Sequence, residues 1–213
     1  MKKKLTELVF ILDESGSMKE LRQETIDGFN SLIEKQKKEE GEAIVTTVMF
    51  SDKPRTIHNR VSIKKINELT EEDYDPFGST ALLDAIGTTT TRIESKQEKD
   101  EQLTKIAKTL LVIITDGQEN SSYKYSYRKV RNIIERLRGS KKWEVIFLGA
   151  NMDTIAEASK LGINEKFAVN YKNDKDGVKA NYVYICEAVS EIRKNKTIRK
   201  DWKKDIEEAN ENK

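Results

Sequence analysis

Apolar residues along this chain follow two patterns that alternate. Short continuous runs rich in Val, Ile, Leu and Phe are typical of strands that are buried on both faces of a parallel sheet. These runs cover 5–12, 43–50, 109–115 and 143–148. Between them, apolar residues recur at three- and four-residue intervals, which predicts amphipathic helices. The helical stretches cover about 20–38, 80–86, 130–137, 152–161 and 175–193.

Two further strands complete the predicted sheet. A turn at 51–54 is too short for a crossover, so the polar strand over 55–63 must pair antiparallel with 43–50, and Pro54 suits a sheet edge. A short strand is predicted at 166–169. The alternation predicts an α/β, Rossmann-like, doubly wound fold: a mainly parallel central sheet with one antiparallel edge strand and helices on both faces. We predict one domain over 1–193 and a charged helical tail over 194–213.

Oxygen-bearing side chains follow two of the apolar strands. Asp13, Ser15 and Ser17 come directly after the first strand, and Asp116 comes directly after the strand at 109–115. In open α/β sheets, ligands bind beyond the carboxyl ends of strands, where the strand order reverses. If these two strands are neighbours there, Asp13 and Asp116 open onto one crevice, which the loop carrying Thr80 can also reach. Carboxylates and hydroxyls suit a hard divalent cation such as Mg²⁺.

These residues resemble the metal-ion-dependent adhesion site (MIDAS) of the von Willebrand factor A family. The matching pieces are Asp13-x-Ser15-x-Ser17, Thr80 within 78–82, and Asp116 within Thr115-Asp116-Gly117, and the strand–helix pattern matches over 5–192. The resemblance implies that Ser15, Ser17 and Thr80 supply hydroxyl ligands to Mg²⁺, with Mn²⁺ or Ca²⁺ as alternatives. It implies that Asp13 and Asp116 bind the ion directly or through water.

The resemblance also implies a function. An Asp or Glu of a partner protein would complete the coordination of the metal, so the chain would be a protein-binding module, an adaptor or regulator, and not an enzyme. Among the family's members, this chain is most similar to compact intracellular bacterial or phage forms.

Composition limits the partners and the cellular location that the sequence predicts. The chain has 39 Lys and Arg against 37 Asp and Glu, which argues against a dedicated nucleic-acid surface. No run is long enough to span a membrane, and the basic start lacks a signal-peptide pattern. Cys186 is the single cysteine, so no internal disulfide can form. A cytoplasmic location is the prediction.

Other interpretations of the same residues remain open. A Mg²⁺-dependent phosphoryl hydrolase of the haloacid-dehalogenase type would use Asp13 as nucleophile, but Ser15 stands where such enzymes have a second acid. Alternatively, the hydroxyls serve turns, and Ser79 or Thr80 caps the helix that follows. Three tyrosines after Asp116 either form a partner-binding rim or pack the loop onto the domain: Tyr123, Tyr125 and Tyr127.

Overall fold

Six strands form one sheet within the part of the chain that the computed structural model describes, which is residues 5–100, 106–194, 197–199 and 202–203. The strands are β1 (Leu5–Asp13), β2 (Glu42–Phe50), β3 (Pro54–Ser62), β4 (Ile106–Thr115), β5 (Trp143–Gly149) and β6 (Ala168–Asn170). The helices are α1 (Arg22–Lys37), α2 (Leu82–Asp100), α3 (Tyr127–Gly139), α4 (Thr154–Lys160) and α5 (Lys175–Arg193).

The strand order is β3-β2-β1-β4-β5-β6, and β1 runs parallel to both of its neighbours. Only the β2–β3 pair of the described sheet is antiparallel, and β3 lies at its edge. The chain therefore builds outwards from β1 to β3, returns to the other side of β1, and continues to β6. The order reverses between β1 and β4, so the predicted doubly wound sheet is confirmed.

Helices cover both faces of the sheet, as the residues of β1 demonstrate. Phe10 points to one face, where its ring meets that of Phe29 on α1 edge to face at 5.5 Å. Glu7 points to the opposite face and accepts a hydrogen bond from Gln97 of α2 at 2.8 Å. Because side chains alternate along a strand, these contacts place α1 and α2 on opposite faces.

Helix α5 lies against α1 at very close range. A Cβ added to Gly28 of α1 would lie 2.2 Å from a ring carbon of Tyr182 on α5, so glycine is required for this packing. At the other end of the pair, Arg193 is buried and donates to the carbonyls of Gln36, Glu39, Glu40 and Gly41. One of these carbonyls belongs to the last turn of α1 and the other three to the turn that follows it, so Arg193 secures the end of α1 from a neighbouring helix.

The predicted helical tail over 194–213 lies mostly outside the described residues. Its described parts, 197–199 and 202–203, form no helix. Instead, Ile198 and Trp202 are buried, and the Trp202 indole donates to the Lys166 carbonyl at 2.7 Å. Among the described helices, none is both long and apolar enough to cross a membrane.

Candidate metal centre

The candidate site lies where the strand order reverses, at the carboxyl ends of β1 and β4. Asp13 is the last residue of β1, and Asp116 directly follows β4. Both carboxylates are buried, each with 1% of its surface exposed. The adjacency of β1 and β4 brings them to the same rim of the sheet, which the sequence predicted only on condition that these strands were neighbours.

Hydrogen bonds connect four of the five predicted site residues. The Ser17 hydroxyl donates to Asp116 Oδ1 at 2.6 Å across a separation of 99 residues. The hydroxyls of Ser15 and Ser17 share a hydrogen bond of 3.1 Å, and the Ser15 amide donates to Asp13 Oδ1 at 2.8 Å. A 3₁₀ turn over Gly16–Leu21 precedes α1 and carries Ser17, where the sequence predicted only that a helix begins near residue 20.

Thr80, the fifth residue, lies beside the loop that carries Asp116. A Cβ added to Gly117 would lie 3.4 Å from Thr80 Oγ1. The Thr80 amide donates to the Asn120 side chain at 2.8 Å, and the Asn120 amide donates back to the Thr80 carbonyl at 3.1 Å. This reciprocal pair fastens the Thr80 segment to the loop after β4, with the threonine hydroxyl close to Gly117, the residue that follows Asp116.

The two carboxylates carry charge that the surrounding protein does not neutralise. Burial raises the pKa of Asp13 to about 6, although hydrogen bonds from Ser15 and Thr115 oppose the shift. Burial also raises the pKa of Asp116. In the described part of the chain, the ion pairs include neither carboxylate. A bound cation would offset the negative charge of both carboxylates.

The donor set fits a hard divalent cation. Carboxylate and hydroxyl oxygens are the ligands that Mg²⁺ and Ca²⁺ prefer. The described residues contain no group of three or more His, Cys, Asp or Glu that could hold a metal. Any metal at this rim therefore depends on the hydroxyls of Ser15, Ser17 and Thr80 as well as on the two carboxylates.

Sequence reasoning missed three residues that support the site. The Thr115 hydroxyl donates to Asp13 Oδ2 at 2.5 Å, and the Tyr74 hydroxyl donates to the Asp13 carbonyl at 2.6 Å. Asn173 donates from Nδ2 to Asp116 Oδ2 at 3.3 Å. Thr115 stands beside Asp116 in the motif and could have been noticed. Tyr74 and Asn173 come from distant loops and give no local signal.

The start of α2 corrects one expectation. The helix begins at Leu82, so neither Ser79 nor Thr80 occupies the capping position. Instead, the Leu83 amide donates to the Glu119 carboxylate at 2.8 Å, and the Asp84 amide donates to the Ser122 hydroxyl at 2.9 Å. Asp84 in turn accepts from the amides of 123–125. The loop after β4 and the start of α2 therefore cap each other.

Two exposed aromatic side chains lie on loops around the site. Phe77 is 61% exposed, and its amide donates to the carbonyl of Glu14, between Asp13 and Ser15. Tyr123, on the mutually capped loop, is 69% exposed. The other two tyrosines pack inwards: Tyr125 lies against Gly87 of α2, and the Tyr127 hydroxyl donates to Glu157. Packing onto the domain therefore holds for Tyr125 and Tyr127, and a partner-binding role for the exposed Tyr123 stays a prediction.

Comparisons with solved structures find the same fold in several proteins. Proximal thread matrix protein 1 from the mussel byssus, solved with a zinc-occupied MIDAS motif, is 15% identical, with a TM-score of 0.59 over 88% of this chain and 46% of that one. This chain thus spans about half the length of the mussel protein. Manganese-loaded TRAP protein from Plasmodium vivax is 16% identical, with a TM-score of 0.55 over 83% of this chain and 71% of that one. BatB from Bacteroides thetaiotaomicron is 16% identical, with a TM-score of 0.54 over 89% and 99%.

Sequence comparison reaches the same fold independently. A search of curated proteins gives no match to this chain. The family model for the von Willebrand factor type A domain, however, matches residues 7–181, which include all five candidate site residues. The match covers most of the chain and agrees with the sheet order and with the structural likenesses. The chain therefore belongs to the von Willebrand factor type A domain family.

Proposed function

We propose that the chain is a metal-dependent protein-binding module, comprising residues 1–193, that holds Mg²⁺ and grips an acidic residue of a partner protein. Domains of this family are in general adhesion or interaction modules and not enzymes. The metal ligands in this proposal are Asp13, Ser15, Ser17, Thr80 and Asp116. An adaptor role inside the cell is part of the proposal, and the lone, buried thiol of Cys186 is consistent with a reducing compartment.

One observation carries the proposal: two buried carboxylates meet at the rim of the sheet, and the described residues that donate hydrogen bonds to them are all neutral. A buried carboxylate is costly unless a positive charge compensates it. Asp13 shows this cost in its raised pKa of about 6. A divalent cation would supply the missing charge, and the hydroxyls of Ser15, Ser17 and Thr80 would add ligands without adding negative charge.

The exposure of the site supports an outside ligand. Asp13, Ser15, Thr80 and Asp116 are buried, whereas Ser17 is exposed, so the site opens to solvent on one side. Because Mg²⁺ usually retains several waters, a carboxylate arriving from that side could displace one. Phe77 and Tyr123 are exposed on loops that contact or carry site residues, and both are of the residue class that is enriched at protein interfaces.

Calorimetric titration with Mg²⁺ and with Mn²⁺ tests the metal site. We expect the wild-type protein to bind one ion, and Asp13→Ala and Thr80→Ala to lose most of that binding. Ser79→Ala is the matched control, because this neighbouring hydroxyl donates to Asp52 and not to the site. Binding by Asp13→Ala that equals the wild type would refute the proposed site.

A peptide selection tests the partner chemistry. A displayed random peptide library would be bound in Mg²⁺ and eluted with chelator. We expect the eluted peptides to contain an Asp or Glu whose replacement by Asn or Gln abolishes binding. Recovery of peptides that tolerate this replacement, or that resist chelator, would contradict an acidic ligand. Hydrolysis of p-nitrophenyl phosphate that depends on Mg²⁺ and Asp13 would instead favour the hydrolase alternative.

A further inference from the structure

Asn173 contacts the candidate metal centre from the segment that follows β6, the strand at the sheet edge opposite β3. It lies in the loop between β6 and α5, 57 residues after Asp116. The loop is held closely in place: the Tyr171 amide donates to the Gly149 carbonyl at 2.9 Å. A Cβ added to Gly177 would lie 2.0 Å from the Lys172 carbonyl oxygen, so only glycine fits beneath this loop. The position of Asn173 is therefore fixed by the backbone around it.

The two oxygens of Asp116 have different partners. Ser17, from the first motif, donates to Oδ1 at 2.6 Å, and Asn173 donates to Oδ2 at 3.3 Å. The amide orientation of Asn173 follows from chemistry, because a flipped side chain would set its own oxygen against a carboxylate oxygen. Asn173 thus completes the hydrogen bonding of a carboxylate that Ser17 holds from one side only.

The oxygen of the Asn173 side-chain amide, unlike the nitrogen, is left without a hydrogen-bond partner among the residues that the structure describes. This atom, Oδ1, is buried. An unpaired buried acceptor is costly, so native proteins pair such atoms with protein groups or with water. A water bound to a divalent cation is a strong donor, since the ion draws electron density from it. Asn173 Oδ1 has the chemistry that such a water requires.

We propose that Asn173 is a sixth residue of the metal centre, a positioning residue that orients Asp116 through Nδ2 and accepts from a metal-bound water through Oδ1. This inference rests on the proposed metal site and extends it to the segment that leads into α5. Residues that hold a ligand or its water from outside the coordination sphere typically change metal affinity by about 10- to 100-fold when they are removed.

Calorimetric Mg²⁺ titration of three variants tests the inference. Asn173→Ala removes both the donor and the acceptor, and we expect Mg²⁺ affinity to fall about tenfold or more. Asn173→Asp keeps an acceptor oxygen and adds a negative charge near the ion, so we expect it to bind Mg²⁺ more tightly than Asn173→Ala. Lys172→Gln is the matched control, since it changes the net charge by the same amount one residue away on an exposed side chain, and it should bind like the wild type.

The outcomes separate a role at the metal from a role in folding. Unfolding temperatures measured without metal would record any structural loss, which by itself leaves the Mg²⁺ affinity of the folded protein unchanged. Wild-type affinity in Asn173→Ala, or Asn173→Asp that binds no more tightly than Asn173→Ala, would overturn the inference. If Asn173→Ala does not fold, Asn173→Leu, which is close in size and also lacks both the donor and the acceptor, takes its place in both comparisons. Failure of the wild-type protein to bind Mg²⁺ would instead refute the proposed function itself.

Discussion

Strand β1 carries a buried carboxylate near each end, and the two carboxylates have partners of different charge. Glu7 and Asp13 are six residues apart on the same side of the strand, which places them about 20 Å apart. Glu7 is fully buried, and it pairs with Arg60 Nε at 2.9 Å and with the Gln97 amide at 2.8 Å. Asp13 is equally buried but receives hydrogen bonds from Ser15 and Thr115, both neutral.

The difference separates a carboxylate that is paired within the fold from one that we propose binds a metal. At Glu7 the chain supplies its own cation, so the ion pair is complete when the protein folds. At Asp13 the described residues supply donors but no positive charge, and burial raises the pKa of the carboxyl group to about 6. Burial alone therefore does not identify the site. The informative feature is a buried carboxylate that has no basic side chain as partner in the described part of the chain.

The largest expected effect is at the Glu7 end. Arg60→Met should lower the free energy of unfolding by about 3–5 kcal/mol, because it leaves a buried carboxylate without its cation. Urea unfolding without metal measures this. The double variant Glu7→Gln/Arg60→Met should recover most of the loss, and Mg²⁺ affinity should stay unchanged in both. A loss below about 1 kcal/mol would show that Glu7 does not depend on Arg60.

At the other end of the strand the effect should have the opposite sign. The pKa of Asp13 is raised from 3.8 to about 6 in the folded protein, so its contribution to stability is full below pH 4 and is lost as the pH rises through 6. Asp13→Asn should therefore make the metal-free protein more stable than wild type at pH 8, by at most about 3 kcal/mol. Urea unfolding at pH 8 and pH 4 measures this.

The gain in Asp13→Asn should vanish at pH 4, where the wild-type carboxyl group is protonated, and the variant should no longer bind Mg²⁺. Equal stability of the two proteins at pH 8 would mean that the buried charge at Asp13 is compensated by a group other than a metal.

The smallest expected effect concerns the donors around Asp13. Thr115→Val keeps the shape of the side chain but removes the hydroxyl that donates to Asp13 Oδ2. A hydrogen bond to a charged group contributes about 1.5–3 kcal/mol, so metal-free stability at pH 8 should fall by about 1.5 kcal/mol. The pH at which stability changes should move upwards, because the charged form of Asp13 is less well supported. Thr109→Val, near the Glu7 end, is the comparison and should not move that pH.

The main features of the sheet and the two carboxylates could be predicted from the sequence, because apolar runs that end in Asp13 and Asp116 follow local rules. The edge position of β3 was likewise predictable from Pro54 and its polar neighbours. The residues that complete the rim could not be predicted from the sequence. Asn173 reaches Asp116 only because β6 and α5 lie where they do. The capping of α2 by Glu119 and Ser122 replaced a local cap that the sequence favoured at Ser79 or Thr80.

The buried Arg193 bears on where this chain can be cut. The family match ends at residue 181, inside α5, whereas Arg193 fastens the last turn of that helix to four carbonyls at the end of α1. An expressed fragment that stops at 181 would remove the guanidinium group that binds those carbonyls and would uncover the α1 surface on which the second half of α5 rests. Truncations for biochemical work should therefore keep residue 193.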